Sequence, residues 1–410
     1  MTDLSGPPRA TLLFLLASAL LGSMGIGLLG PVLPFIVGEQ VRGSAAVASA
    51  LGLLGASYAL CAFFAAPALG ALSDAWARRP VLLLSLAGSV AGYLVFGWGG
   101  ALWALFLGRV LDGLTAGTFG ALFGMLADVT APEARGRTFG LLGATFGAGF
   151  ILGPALGGVL SHFGLNAPVY AAAALSALSL LWGLFLVPES LPVARRDRGL
   201  KAARLNPFNQ IAALFALPGL RPLLTVGALF SLAFALSTST LSLLAKDLLR
   251  WGPAQTGTVL IAVGLCDIVA QGLLLGPLLR RFGERRVALG GLTSSALGLV
   301  GMALLTVWPA PALLYSAVAL FAAGEGMFTA SLGALLSVVA GPEAQGRVQG
   351  GGQALQALAS VAGPLGGGQL YARAGAATPA GLGAGLVALA ALLTGFARRR
   401  GEVAPDELSA

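Results

Sequence analysis

Long apolar runs without charge alternate along the chain with short polar breaks. Residues 10–38, 43–73 and 80–108 contain no Asp, Glu, Lys or Arg. Each exceeds the roughly 20 apolar residues that a helix needs to cross a hydrocarbon core. Further runs at 101–127, 138–161 and 168–187 complete a first set of six, the last two separated by the turn-forming Gly164-Leu165-Asn166-Ala167-Pro168. A polar stretch at 188–221 carries Arg195, Arg196, Arg198, Lys201 and Arg204. Beyond it come runs at 222–245, 254–279, 287–307, 312–339, 348–370 and 374–397. The pattern predicts an all-α integral membrane protein of twelve transmembrane helices, six plus six. The first run is too long for the ~7–15-residue core of a signal peptide and reads as helix 1.

Composition agrees. Charged residues are 10% of 410 against ~25% in an average soluble domain, and the mean hydropathy is +0.89. A net charge of +8 raises the question of nucleic acid, and the location of the charges answers it. With both termini cytoplasmic, Arg42, Lys246, Arg250 and Arg373 fall outside and Arg109 within a span, leaving 19 of the 24 basic residues inside. This is the positive-inside distribution of a multi-pass protein of the cytoplasmic (inner) membrane, with cationic loops beside anionic headgroups. The domains expected are an N-terminal bundle over 1–187, a cytoplasmic linker over 188–221, and a C-terminal bundle with a short cytoplasmic tail over 222–410. Cys61 and Cys266 both sit within apolar runs, where a disulfide framework is not expected.

The halves repeat. Pro132-Glu133-Ala134-Arg135-Gly136-Arg137 recurs 210 residues later as Pro342-Glu343-Ala344-Gln345-Gly346-Arg347, and Gly153-Pro154 and Gly157-Gly158 recur at the same shift as Gly363-Pro364 and Gly367-Gly368. Gly70-Ala71-Leu72-Ser73-Asp74 and Arg78-Arg79 have a fainter echo in Gly276-Pro277-Leu278-Leu279-Arg280 and Glu284-Arg285. Two parallel repeats enclosing a midplane cavity describe a common secondary-transporter architecture.

Four motifs carry a family resemblance. Gly70-x-Leu72-x-Asp74-x-x-Ala77-Arg78-Arg79, between helices 2 and 3, resembles the signature loop of the major facilitator superfamily, with Ala77 where a Gly is usual. Asp74 and Arg78 can pair across the turn, with Asp128 at the end of helix 4 as a third member. Such a cluster is expected to break as the halves rock apart. The resemblance makes it the charge relay of the inside-closed state. On helix 5, Gly140-x8-Gly149-x3-Gly153-Pro154-x2-Gly157-Gly158 resembles the motif shared by the antiporters of that superfamily; its small residues make a groove for close helix approach. Helix 1, over Leu21–Pro34, and the start of helix 3, over Arg79–Leu86, are similar to the tetracycline-efflux branch of the twelve-span drug:proton antiporters. That branch commonly carries Asp where this chain has Gly22 and Gly92. Arg109-x-x-Asp112-Gly113 resembles the helix 4 motif whose Arg is linked to proton transfer, with Asp112 where a Gln is common.

Asp112, Asp267, Glu325 and Arg109 are the ionisable groups well inside apolar spans, where charge is costly and marks function. Arg109 and Asp112, three residues apart, share a helix face and can pair. Asp112 is expected to bind the proton, with Arg109 adjusting its affinity; a permanent salt bridge is the competing reading. Glu325, in Gly324-Glu325-Gly326, suits either a proton site or an anchor for a cationic substrate, and Asp267, one turn before Gln271, is a weaker candidate. Gln349, Gln353 and Gln356 form one polar stripe on helix 11, expected to line a cavity, and Ser237-Thr238-Ser239-Thr240 forms a polar patch on helix 7. Phe146, Phe150, Phe230, Phe234 and Phe328 are candidate aromatic walls.

Absences narrow the chemistry. No Gly-x4-Gly-Lys-Ser/Thr loop is present for ATP, no Gly-x-Ser-x-Gly elbow for a nucleophile, and one histidine, His162, with two separated cysteines offers no metal or haem site. No cofactor, nucleic acid or catalytic activity is expected. The resemblance implies a monomer in the bilayer that exports a small amphipathic or hydrophobic compound in exchange for protons by alternating access. Two other readings stay open: a sugar or metabolite facilitator or symporter of the same fold, and a transport-dead membrane sensor.

Overall fold

The computed structural model describes residues 9–196, 206–217, 219–340 and 345–396. Pro342-Glu343-Ala344 of the second basic loop, the linker cations Arg198, Lys201 and Arg204, and the tail from 397 lie outside the described residues.

Fourteen α-helices are found among the described residues. The first half contains α1 (Arg9–Gln40), α2 (Ser44–Ala75), α3 (Arg78–Trp98), α4 (Leu102–Leu114), α5 (Thr118–Val129), α6 (Arg135–Leu160) and α7 (Ala167–Leu186). A short α8 (Pro207–Phe215) lies in the linker. The second half contains α9 (Arg221–Leu249), α10 (Pro253–Val269), α11 (Leu275–Leu304), α12 (Pro311–Ala340), α13 (Gln345–Ala374) and α14 (Thr378–Phe396). One π-helical turn, Ala270–Leu274, joins α10 to α11.

Ten stretches among the described residues are long and apolar enough to cross a membrane. Two further crossings come from structure. The stretch Pro253–Leu304, 52 residues long, would extend about 78 Å as one helix, more than twice a ~30 Å core. Gly283, at φ +76°, turns the chain back on itself there with a backbone conformation that glycine adopts without a Cβ penalty, making spans 8 and 9. The other crossing is α13, whose apolar character is diluted by glycine and glutamine. The fold is therefore twelve spans: α1–α3, the α4–α5 pair, α6 and α7, then α9, the two arms around Gly283, and α12–α14.

Span 4 is not the continuous helix expected over 101–127. It breaks at Thr115-Ala116-Gly117, where the Thr115 hydroxyl donates to the Leu111 carbonyl at 2.9 Å and Gly117 N–H bonds the Thr115 carbonyl at 2.7 Å. These local bonds replace the i to i−4 ladder. The linker is also more than a polar tether. Asn206 Oδ1 accepts from Phe208 N–H at 3.0 Å and Pro207 occupies the first turn, a favourable helix start. Phe208 then packs edge-on against Phe63 at 5.2 Å, and Leu214 lies against Gly351, so α8 bridges spans 2 and 11.

The two halves pack alike. Span 1 contacts 5 and 6, span 3 contacts 4 and 6, and span 2 contacts 4. In the second half 7 contacts 11 and 12, 9 contacts 10 and 12, and 8 contacts 10. Between halves the main seams are span 2 with 11 and span 5 with 8, pairs that exchange under the same two-fold relation. Twelve crossings place the start of α1 and the end of α14 on one side, termed the terminal face. Trp98, Trp103, Phe163 and Trp308, at 84%, 67%, 82% and 74% exposure, end spans on the opposite face, as an interfacial aromatic belt would. The exposed His162 lies in that same rim.

The halves close at the opposite face. Spans 2 and 11 meet at glycines, where a Cβ on Gly52 would stand 3.0 Å from Gly368 Cα, and one on Gly257 of span 8 would stand 2.8 Å from the Pro154 carbonyl of span 5. One buried core crosses this level, joining Leu28, Val47 and Leu54 to Phe230, Leu241 and Leu244. Toward the terminal face spans 5 and 8 separate. Ile151 still packs on Gly264, but Gly147, Gly143, Gly140 and Gly272 have nothing within reach of an added Cβ.

Candidate functional site

Between the halves lies a cavity of about 730 Å³. Its walls include Tyr58, Arg109 and Phe150 from the first half and Phe230, Phe234, Thr238, Ser239, Glu325, Thr329 and Gln356 from the second. Most of the remaining lining is small or apolar, such as Ala59, Ala62, Ala235, Ala357 and Pro364. A smaller chamber of about 370 Å³ shares Ala62 and Ala357 with it and extends between spans 2, 4 and 11, closed by α8 through Pro207 and Gln210.

Two ionisable pairs flank the cavity, one in each half. In span 4 Arg109 Nη1 is 3.6 Å from Asp112 Oδ2, longer than the ~2.7–2.9 Å of a charge-assisted hydrogen bond. The carboxylate is held instead by the Ser89 hydroxyl of span 3, which donates to Oδ1 at 2.7 Å. The Arg109 guanidinium lies over the Tyr58 ring, 4.2 Å from its centroid. Arg109 lines the cavity while Asp112, at 6% exposure, is buried behind it. In the second half Glu325 of span 10 lines the cavity, and its carboxyl is within hydrogen-bonding reach of Asp267 of span 8. Asp267 lies over Gly326 and accepts from Gln271 Nε2 at 2.7 Å. Gln271 belongs to the π-helical turn, a feature that often marks functional positions.

Other expected wall residues divide. Phe150, Phe230, Phe234 and Gln356 line the main cavity and Gln353 the smaller chamber; the Gln349 side chain lies outside the described residues. Phe146 is not in the wall. It packs on Phe119 at 3.8 Å and Phe150 at 5.9 Å, filling the first half. Phe328 is also a core residue, 1% exposed and 4.4 Å from Phe230, drawn against span 9 where Gly291 lets the backbones touch. Of the helix 7 patch, Thr238 and Ser239 face the cavity, whereas Ser237 and Thr240 are buried.

The Asp74, Arg78 and Asp128 side chains come together. Arg78 Nη1 pairs with Asp74 Oδ1, Nε donates to Asp128 Oδ2 at 3.1 Å, and Ser190 donates to the same oxygen at 3.1 Å. The expectation that this cluster breaks as the halves part is corrected by its position. All of its members belong to the first half, and it is intact while spans 5 and 8 stand apart at that face. Sequence reading missed Glu189, whose two oxygens accept the Arg78 and Arg79 N–H groups at 3.0 and 3.1 Å and so cap α3. A lone acid just past an apolar run was its signal. Tyr58 was also missed, although it is the only tyrosine in span 2.

The glycine motif of span 5 makes two contacts at once. Gly149, Gly153 and Gly157 lie against Ser23, Gly27 and Leu28 of span 1, while Pro154 and Gly158 meet Gly257 and Ala254 of span 8. Gly140, at the separated end, touches nothing. The departure at Gly92 has a spatial counterpart, since Asp112 Cβ occupies the space beside it, 3.0 Å from where a Cβ on Gly92 would stand.

Comparison with known proteins places this arrangement. The sequence is 38% identical over 355 residues to the class C tetracycline resistance protein of Escherichia coli, covering 86% of this chain and 88% of that one. It is 27% identical over 373 residues to multidrug resistance protein 2 of Bacillus subtilis (strain 168), covering 88% and 89%. The crystal structure of the human organic anion transporter MFSD10 superimposes with a TM-score of 0.72 at 26% identity, over 95% of this chain and all of that one. The description of the Major Facilitator Superfamily matches residues 15–252 and 223–409, and with twelve spans in two like halves around a central cavity, the chain belongs to that superfamily.

Proposed function

We propose that this protein exports small amphipathic or hydrophobic compounds through the cytoplasmic membrane in exchange for protons, working as a monomer with its terminal face toward the cytoplasm. The observation that carries the reading is the pair of ionisable groups set against one largely apolar cavity, with Arg109 and Glu325 in the wall and Asp112 and Asp267 behind them. Buried charge of this kind is retained where protons or ions move. The resistance proteins among its relatives support a drug as cargo, and a cavity whose exposed surface is mainly apolar, with three Phe rings beside hydroxyls and one Gln, suits an amphipathic body better than a sugar.

In this reading the structure is the cytoplasm-open state. Substrate enters between spans 5 and 8 and Asp112 gives up its proton to the cytoplasm. The halves then rock about the two seams, exposing the cavity to the opposite face, where substrate leaves and a proton returns. The Asp267–Glu325 pair can hold one proton between two carboxyls and is the second candidate carrier. The proton gradient supplies the driving force, and no cofactor takes part.

The test is reconstitution with an internal pH dye and a panel of lipophilic cations, neutral drugs, tetracyclines and sugars, beside Asp112→Asn and Glu325→Gln. Drug-dependent proton flux lost in Asp112→Asn is the expected result. Sugar flux without proton movement overturns the reading and favours the facilitator.

A further inference from the structure

Exchange requires that substrate and proton exclude one another, and the surroundings of Arg109 suggest how. The guanidinium has two possible seats. One is the Tyr58 ring face, where it lies at 4.2 Å. The other is the Asp112 carboxylate, which it approaches only to 3.6 Å. The first seat is in the cavity wall, because Tyr58 and Arg109 both line it, and the second is behind it. Asp112 does not need Arg109 as a hydrogen-bond donor, because Ser89 serves it at 2.7 Å.

We propose that Tyr58 is a positioning residue that couples substrate loading to proton release by holding Arg109 on the cavity wall until substrate takes its ring face. This rests on the reading of Asp112 as proton carrier. A cation over a tyrosine face is a weak contact, one that an apolar or aromatic substrate can compete with. Arg109, displaced, moves onto Asp112 and closes the 3.6 Å gap to a contact ion pair. A contact pair holds Asp112 as carboxylate, so its O–H bond breaks and the proton leaves through the cavity to water. The arginine stays cationic throughout, and one proton departs for each substrate bound. By linkage, a protonated Asp112 disfavours substrate to the same degree.

The other groups around the pair are accounted for. Span 2 contributes Tyr58 and Cys61, which abut Gly113. Span 3 contributes Ser89 and Tyr93, and the Tyr93 hydroxyl is directed at Gly25 of span 1. Across the cavity Glu325 shares the wall with Arg109, but among the described residues the acid that pairs with the arginine is Asp112. The Tyr58 backbone is fixed in place, since Gly113 packs on its carbonyl and Gly55, one turn away, on Pro364 of span 11. The ring is thus held at the level where the halves meet.

The experiment uses purified protein in weakly buffered detergent with a pH dye. Ethidium and tetracycline are added in turn, and their binding is followed by their own fluorescence. The parent is expected to release about one proton per bound compound and Asp112→Asn none. Tyr58→Phe keeps the ring and is expected to keep at least half of the release. Tyr58→Leu removes the ring face that Arg109 and substrate use in turn, and is expected to bind more weakly than the parent and, at saturating compound, to lose about tenfold in protons released per compound bound, the size of a lost cation–π contact. Full release by Tyr58→Leu overturns the proposal, as does equal loss in Tyr58→Phe, which would assign the effect to the hydroxyl. Binding by Tyr58→Leu at the parental affinity shows that substrate does not take the ring face and also overturns it. Equal release by the parent and Asp112→Asn removes Asp112 as carrier, and absence of binding by the parent overturns the export reading; in either case this inference falls too.

Discussion

The Tyr371 hydroxyl donates to Asp247 at 2.9 Å, on the same carboxylate oxygen that accepts from Ser44. Tyr371 and Asp247 belong to the second half and Ser44 to the first, so the carboxylate ties the halves at the closed face. Its neighbour Lys246 reaches across as well, donating to the Pro34 carbonyl at 3.1 Å and lying 5.2 Å from the Phe35 ring. Opening this face must break both contacts. Hydrogen bonds to a charged group contribute about 1.5–3 kcal/mol, so Asp247→Asn is expected to raise the population open at this face about tenfold or more. Spin labels at Arg42 and Arg250, both exposed beside the seam, read the distance between halves. An unchanged distance distribution counts against the latch.

The Arg78 cluster predicts a difference between two basic side chains. Arg78 uses Nε for Asp128 and Nη1 for Asp74 and Ser73, a fork that one ammonium cannot reproduce. Arg78→Lys is therefore expected to lose at least about tenfold in transport while the protein still inserts and folds. Glu189→Gln weakens the cap on α3, where a carboxylate at a helix N-terminus contributes about 0.3–1 kcal/mol, and is expected to lower the thermal midpoint slightly. If Arg78→Lys transports at the parental rate in vesicles, the fork geometry is not needed.

The spans were legible because an absence of charge over more than 20 residues leaves a chain little choice but the bilayer, and the turn near Gly283 was legible because Arg280, Arg281, Glu284 and Arg285 interrupt one such run. The break after Leu114 was hidden, since Thr115 reads as one more tolerable helix residue until its hydroxyl turns back onto the Leu111 carbonyl. The nine residues of α8 were masked by the charged stretch around them. In the site, the proximity of Arg109 and Asp112 follows from their spacing on one helix. The Tyr58 stack joins two helices and depends on rotations that sequence periodicity does not specify. For the same reason Phe146 and Phe150, four apart on α6, could not be assigned separately to core and cavity.

Spans 1 and 3 supply a contrast between two glycines, Gly22 and Gly92, at positions where the tetracycline-efflux branch commonly has Asp. A methyl on Gly22 meets only the edge of the Phe119 ring at 3.7 Å, whereas one on Gly92 stands 2.8 Å from the Gly108 carbonyl and 3.0 Å from Asp112 Cβ. Backbone cannot yield as a flexible side chain does. Gly22→Ala is expected to remain near the parent in stability, and Gly92→Ala to lose about 1–3 kcal/mol by overpacking and to reduce proton exchange by displacing Asp112. Thermal unfolding in detergent, followed by transport assay, separates the two. Parental behaviour of Gly92→Ala would mean that spans 3 and 4 can move apart freely.

The span 5 motif gives the same kind of contrast along a single helix. A methyl on Gly153 would stand 2.7 Å from the Met24 carbonyl and 2.8 Å from Gly27 Cα, both rigid backbone of span 1, while one on Gly140 meets nothing. Gly153→Ala is therefore expected to force spans 1 and 5 apart at a cost of about 1–3 kcal/mol and to lower the thermal midpoint measurably. Gly140→Ala gains about 0.5–1 kcal/mol of helix propensity in the state seen here. Its contribution to function, if it has one, belongs to the state in which spans 5 and 8 close at the terminal face and Gly140 acquires a neighbour. Gly140→Ala is accordingly expected to raise stability slightly and to leave substrate binding at the parental level in the terminal-open state while slowing turnover in vesicles. Equal destabilisation by the two substitutions would show that the motif packs along its whole length in the resting protein, and would remove the reason for separating its two ends.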